Sequence, residues 1–455
     1  MHGGIGRANV LRLAGRAAAG LLRASPARAG DLPQNPQDPG KLNVLHQIAE
    51  KFLKNRDKIE AFFAEKTQGL VPPLYLSCDI RNSGYKIGVV DTNLFPAGFN
   101  NLCNSYSRLT GFALKAYFET YLPEVRNVLV LAEEHTRNRF YLENVLRLLG
   151  LLEEAGIQAR AVYAGEEISE PSFEADLGQG KVLRMERLQV REGRPYAGDF
   201  AGDWILSNND FSQGLPQALA GLEARISPPP GLGWHKRRKS GHFSRLQEVI
   251  QDFAARLEID PWLLNCEFAT VDEVELGEES GVRRLADGVD RVLEKVEAQY
   301  RRYGIEGPAY AFVKNNAGTY GMGLMEVMSS RDILNMNRRD RNKLLSAKGG
   351  KKGDSFLVQE GIPTADFYSG YPIEPVIYMV GFQVVGGFFR MNAQRDAFAS
   401  LNARGMEFAC LCLHKLDEPH EGAFLNCAEK GNLVSLASVM ARIAALAAAE
   451  EMREL

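Results

Sequence analysis

The stretch YAFVKNNAGTYGMGLMEV, residues 310–327, predicts two β-strands joined by a glycine-rich turn. The first strand brings Lys314 to its end, and the turn contains Gly318, Gly321 and Gly323. Glycines let backbone N–H groups approach phosphate oxygens, and a lysine adds a positive point charge. No Gly-Lys-Ser/Thr follows, which excludes a Walker loop, and no helix follows at once, which excludes a dinucleotide-binding turn. The motif therefore indicates either a lid over a triphosphate or a purely structural hairpin.

The residues that follow favour the nucleotide interpretation. The segment FLVQEG (356–361) reads as an apolar strand whose polar end offers groups to an adenine edge and a ribose hydroxyl. The segments EPVIYMV (374–380) and VVGGFFR (384–390) predict a hairpin that turns near Gly381. The predicted nucleotide-binding residues are Lys314, Gly318, Gly321, Gly323, Gln359 and Glu360.

Charged and amide side chains end this hairpin and continue into the loop SLNARG (400–405). Arginine can hold phosphoryl oxygens, and carboxylate or amide oxygens suit Mg²⁺. An ion pair of Arg390 with Glu374 or Asp396 is the alternative interpretation. The predicted catalytic residues are Arg390, Arg395 and Lys314, and the predicted metal contacts are Glu374 and Asn402.

The first half of the chain has the alternation of an α/β fold. The short apolar run NVLVL (127–131) suits a buried parallel strand, a helical pattern follows over 138–154, and a second strand is expected at 159–163. Strand–helix–strand alternation of this kind predicts a parallel sheet. We expect an N-terminal parallel-sheet α/β domain over 41–226, a linker and helical segment over 227–303, and a C-terminal α+β nucleotide domain over 304–455.

Residues 1–40 are set apart from the predicted fold. They contain five arginines and no acidic residue before Asp31. This composition is typical of a targeting segment or of a disordered extension, and the sequence leaves both interpretations open.

Composition narrows the function classes. The 455 residues carry a formal charge of -3, which argues against a general nucleic-acid binder. No apolar run approaches the roughly 20 residues that a membrane span needs. The six cysteines follow no zinc or redox spacing and suggest buried thiols in a reducing compartment. We therefore expect a cytoplasmic protein that acts on small molecules, without nucleic-acid or membrane partners. Whether it forms a homo-oligomer is left open by the sequence.

Several separated motifs carry a family resemblance. The densest is DIRNSGYKIGVVDTNLFPAGFNNLC (79–103). It is supported in order by EEHTRNRFYLENV (133–145), LSNNDFSQGLP (206–216) and GWHKRRKSGHF (233–243). Over about residues 45–450 the chain resembles the proteobacterial, Thiobacillus-type glutamate–cysteine ligases, and its last 150 or so residues look like an ATP-grasp domain.

The resemblance implies the first step of glutathione biosynthesis, with ATP and Mg²⁺ as cofactors. ATP would phosphorylate the γ-carboxylate of glutamate, and the amine of cysteine would attack the acyl phosphate to give γ-glutamylcysteine. Glutamate needs cations for its carboxylates and a carboxylate for its ammonium group. For many of the residues that could bind glutamate, the alternative interpretation is a hydrogen-bonded structural loop. The predicted substrate-binding residues are Arg81, Lys86, Asp91, Asn93, Asn100, Asn101, Arg137 and Asn209.

Two other functions stay open at this point. The nucleotide motifs equally suit another ATP-grasp carboxylate–amine ligase, such as one similar to glutathione synthetase. The family sequence after its lysine is closer to Lys-Ala-Asp, whereas this chain has Asn315 and Asn316 there. This departure, with the lack of a clear Glu-x-Asn pair near the C-terminus, is what a non-catalytic paralogue that binds nucleotide or amino acid could also show. The basic run His235–Lys239 is interpreted as a solvated loop, with anion binding as the alternative.

Overall fold

The computed structural model describes residues 44–103, 107–134, 137–317, 323–345, 354–411 and 431–455. It shows a mixed α/β fold with three sheets. The N-terminal extension predicted over 1–40, and with it Gly318, Gly321, Cys412 and Cys427, lies outside the described residues.

A seven-strand path with a parallel centre forms the first sheet, in the order β10-β9-β3-β4-β6-β7-β8, with β5 beside β6. Strand β3 is parallel to both β4 and β9, which confirms the predicted parallel sheet. The apolar run of β3 is buried on both faces, with Val128 and Val130 in one hydrophobic core and Leu129 and Leu131 in the other. The bounds are α3 Ser107–Tyr121, β3 Asn127–Leu131, α4 Arg139–Glu154, β4 Gln158–Tyr163, β9 Trp204–Ser207 and β10 Ile226–Ser227.

An antiparallel extension of this sheet was not predicted. Its strands are rich in Glu, Arg and Lys and are half exposed, so they lack the apolar run that marks a buried strand. The four strands are β5 Ser172–Gly178, β6 Lys181–Arg191, β7 Arg194–Ala197 and β8 Phe200–Ala201.

The second sheet is antiparallel and combines the two ends of the chain. Its order is β18-β17-β16-β1-β2, with β15 beside β16. The predicted hairpin is confirmed, since β16 and β17 pair with Glu374 opposite Arg390. Strand β1 belongs to the predicted first domain and β16 to the predicted last one. One sheet therefore contains strands from two of the domains expected from sequence. The bounds are β1 Tyr75–Asn82, β2 Ile87–Asn93, β15 Phe367–Tyr368, β16 Tyr371–Val380, β17 Gln383–Asn392 and β18 Met406–Cys410.

The third sheet has four antiparallel strands in the order β11-β14-β12-β13. The pairing of β12 with β13 confirms the two strands expected around the glycine turn, and Lys314 lies opposite Leu324. Helix α6 buries an apolar stripe that includes Leu285, Val289 and Val296 in the core under this sheet. The bounds are β11 Phe268–Val271, α6 Glu279–Tyr303, β12 Ala311–Asn315, β13 Leu324–Val327, α7 Ser330–Leu334, α8 Arg338–Leu345 and β14 Phe356–Glu360.

Four further helices pack against each other, and the last of them also packs on the second sheet. The last of them, α9, is apolar over a length that could cross a membrane, but 83% of that window is buried inside the fold. Its alanines allow close packing on β1, β16 and α5. The bounds are α1 Val44–Lys54, α2 Arg56–Lys66, α5 Lys239–Leu257 and α9 Gly431–Arg453.

We expect Phe253→Ala to lower the free energy of unfolding by about 3–5 kcal/mol, because Phe253 is fully buried and its removal leaves a cavity. Its ring contacts Phe52 and Phe62 edge to face. Urea unfolding followed by circular dichroism measures the change. Phe112→Ala is the control, since Phe112 is 69% exposed. Equal midpoints for the two variants would contradict the packing described here.

Candidate active site

A cleft that is partly open to solvent lies between the second and third sheets. It collects side chains from β1, β2, β12, β14, β16, β17 and the start of α5. These elements are distant in sequence, and their polar ends meet because the sheets lie side by side. The lining residues are Asp79, Arg81, Val90, Asp91, Lys239, Phe312, Lys314, Asn315, Leu324, Gln359, Glu360, Ile362, Glu374, Arg390, Ser400 and Asn402.

Two lysines and Asp91 form one side of the cleft. The Lys314 Nζ donates to the Val90 carbonyl at 3.0 Å and to the Gln359 Oε1 at 2.6 Å. The Lys239 Nζ donates to the Asp91 Oδ1 at 2.6 Å. Burial, together with the neighbouring Lys239, lowers the pKa of Lys314 to about 8, although Asp91 opposes the shift. Burial works against ionisation of Asp91, but Lys239 and Lys314 outweigh it and lower its pKa to about 2. This side of the cleft therefore carries two lysine side chains, and the lowered pKa of Lys314 lets that side chain lose its charge near pH 8.

Four alternating charges form the other side. The Arg81 Nε donates to the Glu374 Oε2 at 2.6 Å, and one Arg390 Nη donates to the Glu374 Oε1 at 2.7 Å. The same guanidinium donates to both Asp79 oxygens, at 2.7 and 3.3 Å. Burial opposes the positive charge of Arg390, but Asp79 and Glu374 raise its pKa far above its ordinary value. This chain of charges confirms the ion pair between Arg390 and Glu374 that the sequence left as an alternative.

Arg81 also fixes the loop before β18. Its two Nη atoms donate to the carbonyl oxygens of Ile362, Ala397 and Ala399. Ser400 and Asn402, which line the cleft, come directly after Ala399. Because the described contacts of Arg81 are all with the protein, its predicted role as a cation for a substrate carboxylate stays a prediction.

Lys86 and Glu360 are paired with each other. The Lys86 Nζ donates to both carboxylate oxygens of Glu360, at 2.9 and 2.8 Å, and both side chains are fully buried. The Trp262 ring lies 4.0 Å from the same ammonium, and the Glu267 N–H donates to the Glu360 Oε2. The pair links the turn between β1 and β2 to the end of β14, so both side chains position strands around the cleft. Their predicted contacts with substrate and ribose stay predictions.

The predicted metal contacts do not fit a magnesium site as arranged here. Both oxygens of Glu374 accept hydrogen bonds from guanidinium groups, and its side chain is 4% exposed. A cation at this position would face two positive charges. Within the described ranges, no three His, Cys, Asp or Glu side chains come together as a metal-binding group. Asn402 also lines the cleft.

The other predicted residues within the described ranges do not line the cleft. Asn93 and Asn209 accept from the N–H groups of Phe95 and Phe211, which is the structural-loop role that the sequence left open. Arg137 and Arg395 are exposed. Asn100 and Asn101 lie in a short 3₁₀ turn, and Gly323 has a φ of 66° that suits glycine.

Sequence reasoning missed Asp79 and Lys239. Asp79 begins the densest motif, but nothing local distinguished it from a strand residue. Lys239 closes the basic run interpreted as a solvated loop, yet Arg237 and Lys239 are buried whereas Lys236 and Arg238 are exposed. Arg237 bonds Glu451 on α9 at 2.8 and 3.0 Å and the Thr92 carbonyl at 3.1 Å, which fixes the start of α5.

Comparisons with known proteins match most of the chain. The family described as Glutamate-cysteine ligase matches residues 49–452. A solved protein from Methylobacillus flagellatus KT, provisionally assigned as a gamma-glutamylcysteine synthetase, is 35% identical with a TM-score of 0.82, covering 92% of this chain and 98% of its own.

Two other solved structures show much weaker likeness. A glutathione synthetase-like effector from Globodera pallida is 12% identical with a TM-score of 0.34, covering 77% of this chain and 81% of its own. D-alanyl-alanine synthetase A from Vibrio cholerae is 12% identical with a TM-score of 0.30, covering 61% and 69%. A search of curated proteins gave no match.

We expect Lys86→Met to destabilise the fold by about 3–5 kcal/mol, because it leaves the buried Glu360 carboxylate without its cation. Lys86→Met combined with Glu360→Gln should recover part of the loss, since no uncompensated charge then remains. Urea midpoints of the two single variants and the double variant measure the coupling. Lys115→Met, at an exposed lysine, is the control. A double variant less stable than Lys86→Met alone would refute the coupling.

Proposed function

The chain belongs to the glutamate–cysteine ligase family, and on that premise we propose that its cleft binds ATP and glutamate together. In the first step the γ-carboxylate of glutamate attacks the terminal phosphorus of ATP, and the bond to ADP breaks. In the second step the amine of cysteine attacks the acyl carbon, phosphate leaves, and γ-glutamylcysteine is formed with release of the proton from nitrogen.

One observation carries the proposal. One cleft brings together Gln359 at the end of β14, the two lysines Lys239 and Lys314, and Arg390, although these groups come from three regions of the chain. Carboxyl activation needs the phosphates and the carboxylate held together, because proximity and charge neutralisation supply most of the rate.

The triphosphate is assigned to the lysine side. Lys314 and Lys239 supply two ammonium groups there, and the turn between β12 and β13 follows Lys314 directly. The apolar side chains of Phe312, Leu324 and Ile362 border the same region and can receive the adenine ring, with polar groups at Gln359 for its edge.

Arg390 is assigned to the phosphoryl group in transfer. Its Nε is buried and has no hydrogen-bond partner, so a donor is left over after Asp79 and Glu374 are satisfied. A fixed guanidinium stabilises charge that spreads over the equatorial oxygens without having to reorganise. Magnesium stays a prediction from the family resemblance, and no step here depends on it.

The direct test measures products from pairs of amino acids with ATP and Mg²⁺. We expect phosphate release and γ-glutamylcysteine, identified by mass spectrometry, when glutamate and cysteine are both present. Turnover that instead requires γ-glutamylcysteine and glycine would replace the proposal with a glutathione synthetase-like reaction. ATP binding without phosphate release would identify a non-catalytic paralogue.

The affinity for ATP should fall as the pH rises through about 8, because Lys314 has a lowered pKa and loses its charge there. The protonated form attracts the triphosphate, so binding is strongest below this pH. Isothermal titration calorimetry between pH 7 and 9.5 measures the dissociation constant.

The variant Lys314→Arg should remove this alkaline loss, since arginine stays charged throughout. Lys236→Arg, at an exposed lysine, should keep the wild-type profile. An identical alkaline loss in Lys314→Arg would take Lys314 out of the phosphate site.

A further inference from the structure

Four carboxylates line the cleft, and two of them are closed to a ligand. Both Glu360 oxygens accept from Lys86, and one of them also accepts from a backbone N–H. Both Glu374 oxygens accept from arginines. Neither side chain is more than 4% exposed. Arg390 also binds both oxygens of Asp79, but Asp79 and Asp91 are the more accessible pair, with side chains that are 16% and 37% exposed.

Asp79 and Asp91 lie directly opposite each other on the antiparallel strands β1 and β2. Opposite residues of such a pair point to the same face, and both of these line the cleft. Like charges directly opposite each other repel, and the cations of Arg390 and Lys239 offset this repulsion. Arg390 binds the Asp79 carboxylate and Lys239 binds the Asp91 carboxylate. Each carboxylate keeps acceptor positions for a further donor.

Unpartnered buried donors in the same cleft indicate that the ligand also carries acceptors. They are the Arg390 Nε, the Asn315 Nδ2 and the Gln359 Nε2, in residues that are 8%, 2% and 1% exposed. The two amide orientations are fixed, because the Asn315 Oδ1 accepts from the Ala317 N–H and the Gln359 Oε1 accepts from Lys314. Buried donors are rarely left unpaired in native proteins, so oxygen atoms of a ligand are expected beside them.

We propose that Asp79, together with Asp91, binds the α-ammonium group of the glutamate substrate and so selects an α-amino acid over a plain dicarboxylate. The inference rests on the proposed function. An ammonium group offers three donors, which suits two carboxylates on one face. The α-carboxylate of the same zwitterion can accept from the Asn315 Nδ2, since Gln359 and Arg390 are assigned to the adenine and to the phosphoryl group. Arg390 positions Asp79 by binding both of its oxygens.

Glutarate is the probe, because it keeps both carboxylates of glutamate and lacks the ammonium group. The measured quantity is the ratio of the glutarate inhibition constant to the glutamate KM, in assays with ATP, Mg²⁺ and cysteine. In Asp79→Asn we expect this ratio to fall at least about tenfold, since a charge-assisted hydrogen bond to the ammonium group is weakened. Where wild-type inhibition is too weak to measure, Asp79→Asn should bring it into range.

Asp91→Asn should lower the same ratio while leaving the pair of Asp79 with Arg390 intact, which covers the case in which Asp79→Asn fails to fold. Asp57→Asn, at an exposed residue of α2, should leave the ratio unchanged. An unchanged ratio in folded Asp79→Asn and Asp91→Asn overturns the inference. A raised Mg²⁺ requirement at an unchanged ratio also overturns it and places a metal between the two aspartates. Neither result touches the proposed function, which fails only if the wild-type protein makes no γ-glutamylcysteine.

Discussion

Strand β1 is hydrogen-bonded to β2 on one side and to β16 on the other, and this position determines the site. Antiparallel register fixes which side chains share a face. It places Asp79 opposite Asp91 on β2 and opposite Val376 on β16. Val376 is two residues from Glu374 on the same strand. A slip of one residue would turn Asp79 away from the cleft, so the register of this one strand controls both the charge chain and the open carboxylates.

The charges around β1 stabilise one another in a way that no single pair could. Glu374 accepts from two arginines, and Arg390 in turn holds Asp79. A buried charge without its partner costs several kcal/mol, and for this reason the set is formed together or not at all. The result is a preorganised set of charged side chains on one side of the cleft. Fixed charges of this kind can stabilise a phosphoryl group in transfer. The lysine side differs, because the lowered pKa of Lys314 makes its charge responsive to pH.

Local patterns predicted the parts of this structure that are local. The run of β3, the hairpin of β16 and β17 and the strand that ends at Lys314 follow from apolar periodicity and glycine positions. The pairing of β1 with β16 joins residues some 300 positions apart in the chain, and no local pattern records it. For the same reason the ion pair between Lys86 and Glu360 could not be predicted from the sequence. Lys239 was missed because a run of basic residues does not show that alternate members are buried.

The departure at Asn316 from the family pattern has a structural explanation. Its carbonyl accepts from the Lys239 N–H, and its Oδ1 accepts from the Ser240 N–H, so it caps the start of α5. Its Nδ2 donates to the hydroxyls of Ser240 and Ser355, and the Ser355 hydroxyl donates to Asp272. An aspartate could not donate to Ser355 while that hydroxyl is directed at Asp272, so the amide matches these surroundings. Asn316, two residues after Lys314, thus holds Lys239 in the cleft. Its departure from the family pattern gives no reason to regard the protein as non-catalytic.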